Sequence, residues 1–460
     1  MIYAGSDKLR PGREFELLSE PGGGRRADSA PPGESEAPSA ERRYHVVTLG
    51  CKLNRFDSAQ AEGVLRAAGY APSADPRRAS VILLNTCTVT ARADADGRRW
   101  ARRLRRLNPA ARIVATGCYA ERDAEALGRL GVLDEIVGLR ERRRLPSALL
   151  GHDECTTGSI ALFFGDRSRA FLRIQEGCDL GCSYCVIPQV RGTSRSVPAG
   201  EVLAQLERLA ATGVREVGLT GVNTGSWGRD LEPRRALADL LAEILDRDLP
   251  LRIRLNSLEP KTVTRRVLAL MAQASDRLVP HVQVPLQSGS DRVLAAMSRN
   301  YRTKFYRELI ERIVASVPDI CVGADVICGF PGESAADHAA TLAFIDSLPL
   351  AYLHVFSYSP RPGTRAAARG DALVPARARA RTRELRAVGE RHARAFRQAM
   401  IGRTLDALTL DALAADGSRR ALTGNYIEVH VRDLPQGQLW PVRLTALADE
   451  GLAVRAELAS

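Results

Sequence analysis

Gln175-Glu176-Gly177-Cys178-Asp179-Leu180-Gly181-Cys182-Ser183-Tyr184-Cys185 decides how the rest of the chain is read. Its cysteines follow the spacing C-x3-C-x2-C. Thiolates are soft ligands that select iron–sulfur clusters, zinc or copper(I). A structural zinc site closes on four ligands, and the nearest histidines, His152 and His281, lie well away along the chain. A [4Fe–4S] cluster normally takes four thiolates. Three thiolates leave one iron open, which makes a reactive centre rather than a staple. A zinc knuckle completed from elsewhere is the competing account.

The stretch follows a short apolar run, Ala170–Gln175, that reads as a buried strand. Five more such runs follow, at Glu216–Thr220, Leu251–Asn256, His281–Pro285, Val322–Ile327 and Tyr352–Tyr358, separated by helical patterns. Six strand–helix units predict a partial (β/α) barrel, whose chemistry sits on the loops after the strands. The cysteines follow the first strand, as that rule requires. Thr220-Gly221-Val222-Asn223, Asn256-Ser257, Gln283-Val284-Pro285 and Gly329-Phe330-Pro331-Gly332-Glu333 end the next four. Glycine at such a place lets backbone approach a ligand closely; otherwise these are ordinary turns.

Upstream, Tyr44–Leu49, Ser80–Leu84 and Arg112–Ala115 are also short buried strands, with helical patterns such as Ser58–Ala68 and Asp96–Leu107 between them. Alternating strand and helix predicts an open parallel sheet. Cys51, Cys87 and Cys118 each follow one of the strands. In a parallel sheet all three gather at the carboxyl edge, where open α/β sheets bind ligands. Three converging thiolates again suit a cluster with one open iron. The bland account is three unrelated core cysteines.

The formal net charge is +12, which favours a polyanionic partner such as nucleic acid. However, 62 of the 66 basic residues are Arg, so coding bias explains the charge about as well. Arg98, Arg99, Arg102, Arg103, Arg105 and Arg106 wrap one helix, which fits a phosphate-tracking surface or a solvated face. Apolar runs are too short for a membrane span, and no hydrophobic segment behind the first charges reads as a signal peptide. Nine cysteines then point to metal or catalysis in a reducing, cytoplasmic setting.

The composition predicts five segments. Residues 1–42, rich in Gly, Pro, Ser, Glu and Arg, read as a disordered extension. Residues 43–150 form the first α/β domain, 151–168 a linker holding an unpaired Cys155, and 169–395 the partial barrel with a long Arg/Ala helix over Pro375–Met400. Residues 396–460 carry short strand-like runs at Thr404–Leu410, Ala421–Val431, Leu439–Leu444 and Leu452–Leu458, predicting a small antiparallel β-barrel of a kind that often binds oligonucleotides. Cys321 and Cys328 read as small buried hydrophobes.

With both cysteine sets and the last barrel placed, the chain from about residue 43 resembles the radical S-adenosylmethionine (SAM) methylthiotransferases. The aromatic residue before the third cysteine, Tyr184, belongs to that likeness. The resemblance implies an auxiliary [4Fe–4S] cluster on Cys51, Cys87 and Cys118, a SAM-binding [4Fe–4S] cluster on Cys178, Cys182 and Cys185, and a C-terminal TRAM-like RNA-binding barrel. Tyr184, Gly221, Asn223, Ser257 and Gln283 would line the SAM pocket.

Thr48-Leu49-Gly50-Cys51-Lys52-Leu53-Asn54, Asn85-Thr86-Cys87-Thr88-Val89-Thr90, Ala324–Glu333 and Leu353–Ser359 look like the branch acting on N6-threonylcarbamoyladenosine of tRNA. Two other branches act on isopentenyladenosine or on a ribosomal-protein aspartate. The family chemistry implies no side-chain acid or base, because the adenine C2–H bond yields to a carbon radical and the cofactor carries that step. It implies two SAM molecules per turnover, one methylating a sulfur and one cleaved to the radical. It implies a tRNA anticodon loop as partner, where a base can be splayed out, together with an electron donor and a sulfur source. An RNA-binding protein with structural or redox-sensing clusters is the account from another class.

Overall fold

The computed structural model describes residues 42–152, 168–371, 373–448 and 452–459. The expected disordered extension, most of the expected linker and Cys155 lie outside them. The chain divides into two compact units at residues 163 and 164.

In the first unit, five parallel strands lie in the order β2-β1-β3-β4-β5. They are β1 (Arg43–Thr48), β2 (Ala71–Pro72), β3 (Val81–Thr86), β4 (Arg112–Gly117) and β5 (Glu135–Ile136). The three strands expected from sequence are the centre, and two-residue strands flank them. Alternation divides the core between the faces. Leu83 and Val114 pack with Val64 and Leu65 of the helix Lys52–Ala67. Ile82, Leu84 and Ile113 pack with Ala101 and Leu104 of the helix Ala91–Leu107. Each fully buried Leu, Ile or Val contributes about 1.5–3 kcal/mol relative to an exposed one. The strand order reverses between β1 and β3, the point where open α/β sheets make a ligand crevice.

The second unit opens with β6 (Arg169–Arg173) and the short antiparallel pair β7 (Gln175–Glu176) and β8 (Arg195–Ser196). Then come β9 (Glu216–Thr220), β10 (Arg252–Leu255), β11 (His281–Gln283), β12 (Cys321–Cys328) and β13 (Tyr352–Ser357). Parallel pairings give β6-β9-β10 and β11-β12-β13. A parallel bridge between Ile253 and Leu278 joins the two sheets, and Val279 N–H donates to the Ile253 carbonyl at 3.0 Å. The result is the expected six-stranded partial barrel.

A 25-residue helix, Pro375–Ala399, leads to a closed barrel. Its strands are β14 (Thr404–Leu413), β15 (Arg419–Thr423), β16 (Glu428–Val431), β17 (Leu439–Leu447) and β18 (Val454–Leu458), in the order β14-β15-β16-β18-β17. The run Ala421–Val431, expected as one strand, is a hairpin: Gly424 and Asn425 turn the chain, and Tyr426 sits at φ 65°. Four pairings are antiparallel, and β16 with β18 is parallel.

This barrel caps the amino ends of the six strands. Tyr426 stacks on His281 at 4.3 Å between ring centroids, with Tyr352 at 5.9 Å. Beside them Glu216, the first residue of β9, accepts from Arg169 Nε, Arg252 Nε and Arg254 Nε at 2.8 Å each. The remaining donors cross to the small barrel. Arg252 donates to the Asp406 and Leu422 carbonyls (3.1 and 2.8 Å), and Arg254 to those of Gly424 and Thr423 (2.8 and 3.2 Å). Burial alone would raise the Glu216 carboxyl, but the three guanidinium groups outweigh it and hold the carboxyl well below its ordinary range.

Candidate active site

In the first unit the three thiols stand on loops after adjacent strands. Cys51 is the residue before the helix Lys52–Ala67, Cys87 follows β3, and Cys118 opens the helix Cys118–Arg122 after β4. Asn54, fully buried, ties these loops together. Its Nδ2 donates to the Leu49 carbonyl at 2.7 Å and the Thr86 carbonyl at 2.9 Å, and the Cys118 thiol faces its Oδ1 at 3.9 Å. Gly50 has φ +100°, and a Cβ there would sit 2.8 Å from the Cys87 sulfur. Only glycine lets the first loop pass this close to the second thiol.

Cys87 is pushed far up by burial first, then by the charges that Cys118 and Cys51 would carry. A buried thiol raised by its neighbours' charges ionises beside them only around a cation. That donor set of three thiols fits a cationic cluster.

In the second unit Gly177 (φ +73°) turns the chain into the cysteine loop, and a Cβ there would lie 1.8 Å from the Thr193 carbonyl oxygen. The loop is anchored through Ser183, whose N–H donates to the Met297 carbonyl at 3.0 Å and whose Oγ donates to the Ala296 carbonyl at 2.9 Å. Ile187 N–H donates to the Cys185 sulfur at 3.4 Å. Burial pushes the Cys178 thiol up, and burial with Cys182 pushes Cys185 up to about 12. Cys178 and Cys185, each raised by burial and by the neighbouring Cys182, fit a cationic cluster on the same ground. Tyr184 packs against Val293, Met297 and Phe330, and burial raises its phenol well above the ordinary range.

Gly221 and Asn223 come together with the strand leading into the cysteine loop. A Cβ on Gly221 would meet Gln175 Oε1 at 2.8 Å, and Asn223 N–H donates to that oxygen at 2.9 Å. Ser257, at φ 60°, accepts from Thr224 N–H at 3.1 Å. Among the described residues, the buried Asn223 Oδ1 and Gln283 Oε1 lack hydrogen-bond partners. Gln283 belongs to a different group: its Nε2 donates to Asp325 and, at 3.0 Å, to His354 Nδ1.

Sequence reasoning missed Arg299. Its Nη1 donates to the Cys182 sulfur at 3.1 Å, its Nε donates to Tyr301 Oη at 3.1 Å, and its Nη2 pairs with Glu259. Burial opposes the guanidinium charge, but Glu259 and its neighbours overcome this and hold its pKa well above the ordinary value. A lone Arg in an Arg-rich chain gives no sequence signal for such a role.

Two family models match the chain. Residues 43–138 match the uncharacterized protein family UPF0004, and residues 172–345 match the radical SAM superfamily. A radical SAM methyltransferase, TsrM, from Kitasatospora setae has the same fold, with TM-score 0.54 at 15% identity over 71% of this chain and 77% of that one. The family match thus places the second unit in the radical SAM superfamily, with an N-terminal α/β unit before it.

The relatives narrow the class. A tRNA-2-methylthio-N(6)-dimethylallyladenosine synthase from Sphingopyxis alaskensis is 34% identical, over 89% of this chain and 97% of its own. The threonylcarbamoyladenosine tRNA methylthiotransferase MtaB of Aquifex aeolicus is 33% identical, over 83% and 95%. The chain belongs to the radical SAM tRNA methylthiotransferases, which use SAM and two [4Fe–4S] clusters. No helix among the described residues is long and apolar enough to cross a membrane.

Proposed function

We propose that this chain places a methylthio group on C2 of N6-threonylcarbamoyladenosine at position 37 of tRNA, giving the 2-methylthio derivative. The observation that carries the choice of substrate is the set of residues beside the auxiliary thiols. The stretches Thr48–Asn54 and Asn85–Thr90 resemble the threonylcarbamoyladenosine branch, and within them Lys52, Asn54 and Thr88 are buried. Dimethylallyladenosine is the second reading, because several relatives carry that name, among them one from Chloroflexus aurantiacus at 35% identity.

In this proposal Cys178, Cys182 and Cys185 hold the SAM-binding cluster, and Cys51, Cys87 and Cys118 the auxiliary one. Bound there, the cofactors supply the carbon radical and the methylthio sulfur. The protein's part is to bind, orient and exclude water. Gly177 shapes the first cysteine loop, and Arg299 lays a fixed charge beside Cys182. Tyr184, Gly221, Asn223 and Ser257 line the SAM pocket, and Gln283, held by Asp325 and His354, is left out of it. The C-terminal barrel contributes to tRNA binding. An electron donor and a sulfur source are required partners, and the site of action is the cytoplasm.

The experiment is mass spectrometry of nucleosides in tRNA from cells with and without the gene. Loss of 2-methylthio-N6-threonylcarbamoyladenosine with its precursor accumulating supports the proposal. Loss of the dimethylallyl product instead transfers the enzyme to the other branch. An unchanged set of nucleosides would overturn the tRNA assignment.

A further inference from the structure

Cys328, Glu333 and His338 form a buried group whose ligand atoms all lie within 4.8 Å of one another, and the chemistry described above makes no use of it. Cys328 ends β12. Strand alternation sets it on the face opposite Ile327, which packs with the Tyr184 cluster. Its sulfur lies 4.0 Å from the Ala378 carbonyl of the long helix Pro375–Ala399, so it faces the helix layer and not the cysteine loop.

Glu333 closes the Gly329–Glu333 loop, with its Oε2 accepting from Gly329 N–H at 3.0 Å. His338 lies in the next helix, Ala335–Asp346. Its Nδ1 is 4.0 Å from Glu333 Oε1, and its Nε2 pairs with Glu384 at 2.8 Å. A carboxylate on one ring nitrogen fixes the proton there and turns the other lone pair inward. This is the support that metal-binding histidines habitually have.

We propose that Cys328 Sγ, Glu333 and His338 Nδ1 bind a zinc ion, with Glu384 orienting the histidine and the fourth position left to water. One thiolate, one carboxylate and one imidazole are ligand types that zinc accepts in a tetrahedral site. Arg381 Nη1 also donates to Glu333 Oε1 at 2.5 Å. A carboxylate oxygen has two lone pairs, so it serves both the guanidinium and the ion. The thiolate and Glu333 offset the zinc charge, Arg381 meets Glu333, and Glu384 adds a further negative charge through His338. Without metal, burial pushes the Cys328 thiol up to about 12. Zinc takes the thiolate, so binding releases that proton. The ion would clamp the loop after β12 to its flanking helices. This differs from the cluster sites, where thiols alone supply the ligands.

The test uses the enzyme with both iron–sulfur clusters loaded anaerobically, so that the six cluster cysteines are occupied. Zinc is added, excess is removed, and zinc and iron are counted. Zinc K-edge absorption then reads the coordination. The expected result is roughly one zinc per chain, with one sulfur at about 2.3 Å and the rest nitrogen or oxygen at about 2.0–2.2 Å. Cys328→Ala and His338→Gln should each lose that zinc with iron unchanged, and Glu384→Gln should weaken binding roughly tenfold or more. Retention of zinc in both ligand variants, a coordination shell dominated by sulfur, or no zinc bound by the loaded wild type would overturn the proposal. If a ligand variant fails to fold, the wild-type absorption spectrum decides alone.

Discussion

Glu216→Gln removes one charge and keeps the side-chain shape. In the native protein that carboxylate meets Arg169, Arg252 and Arg254, with five nitrogen–oxygen contacts between 2.7 and 2.9 Å. Glutamine offers one accepting oxygen and points an NH2 at guanidinium donors. Two of the three cations, Arg252 and Arg254, are almost wholly buried. Breaking a buried pair from one side costs about 3–5 kcal/mol, because the other charge stays buried and unpaired. The same arginines hold four carbonyls of the C-terminal barrel, so that barrel should loosen with them.

Urea unfolding monitored by hydrogen exchange measures both effects. The expected outcome is a loss of about 3–5 kcal/mol and early exchange across residues 404–447. The pH dependence has a defined sign. A carboxyl lowered on folding stabilises fully above its unfolded value of about 4.3, and that stability is lost as pH falls toward the folded value. The gap between wild type and variant should therefore be full at pH 7 and narrow below about pH 4.3. A loss under about 1 kcal/mol, or unchanged protection of the C-terminal barrel, would refute the reasoning.

Cys178→Ala should abolish formation of 5′-deoxyadenosine from SAM, whereas Cys51→Ala should retain cleavage and lose the methylthio product; chromatography of both products separates the two sites. Gly50→Ala forces a methyl group against the Cys87 sulfur, so anaerobic reconstitution should leave roughly half the wild-type iron. Arg299→Gln removes a cation that donates to Cys182, and the midpoint potential of the second-unit cluster should shift negative. Spectroelectrochemistry reads this directly, and an unchanged potential would remove Arg299 from that role.

The strands that carry thiols were legible because each is a short apolar run followed closely by a cysteine, and a parallel sheet brings such ends together. β2 and β5 were not, since two residues show no period. The hairpin at Gly424-Asn425 was hidden because Ala421–Val431 is apolar on both sides of its turn. The ion network was invisible for a different reason. Where arginine is everywhere, no single one stands out, and only the fold shows that Arg252 and Arg254 meet Glu216. Cys328 read as a small hydrophobe, correctly for its burial, while Glu384, far along the chain, reaches His338 only through the packing of two helices.

The seating of Tyr426 beneath His281 and Tyr352 bears on how the protein is made. Ribosomal synthesis delivers the six strands first and the cap last. Until residues 404–458 emerge, two arginines lack the carbonyls that receive them and an aromatic floor is missing from the sheet. A chain stopped before Thr404 would thus not be a shorter enzyme with weaker RNA affinity. It would be an unfinished core, marked for chaperones and proteases, and loss-of-function alleles in the last segment should lower the amount of protein before they alter its chemistry.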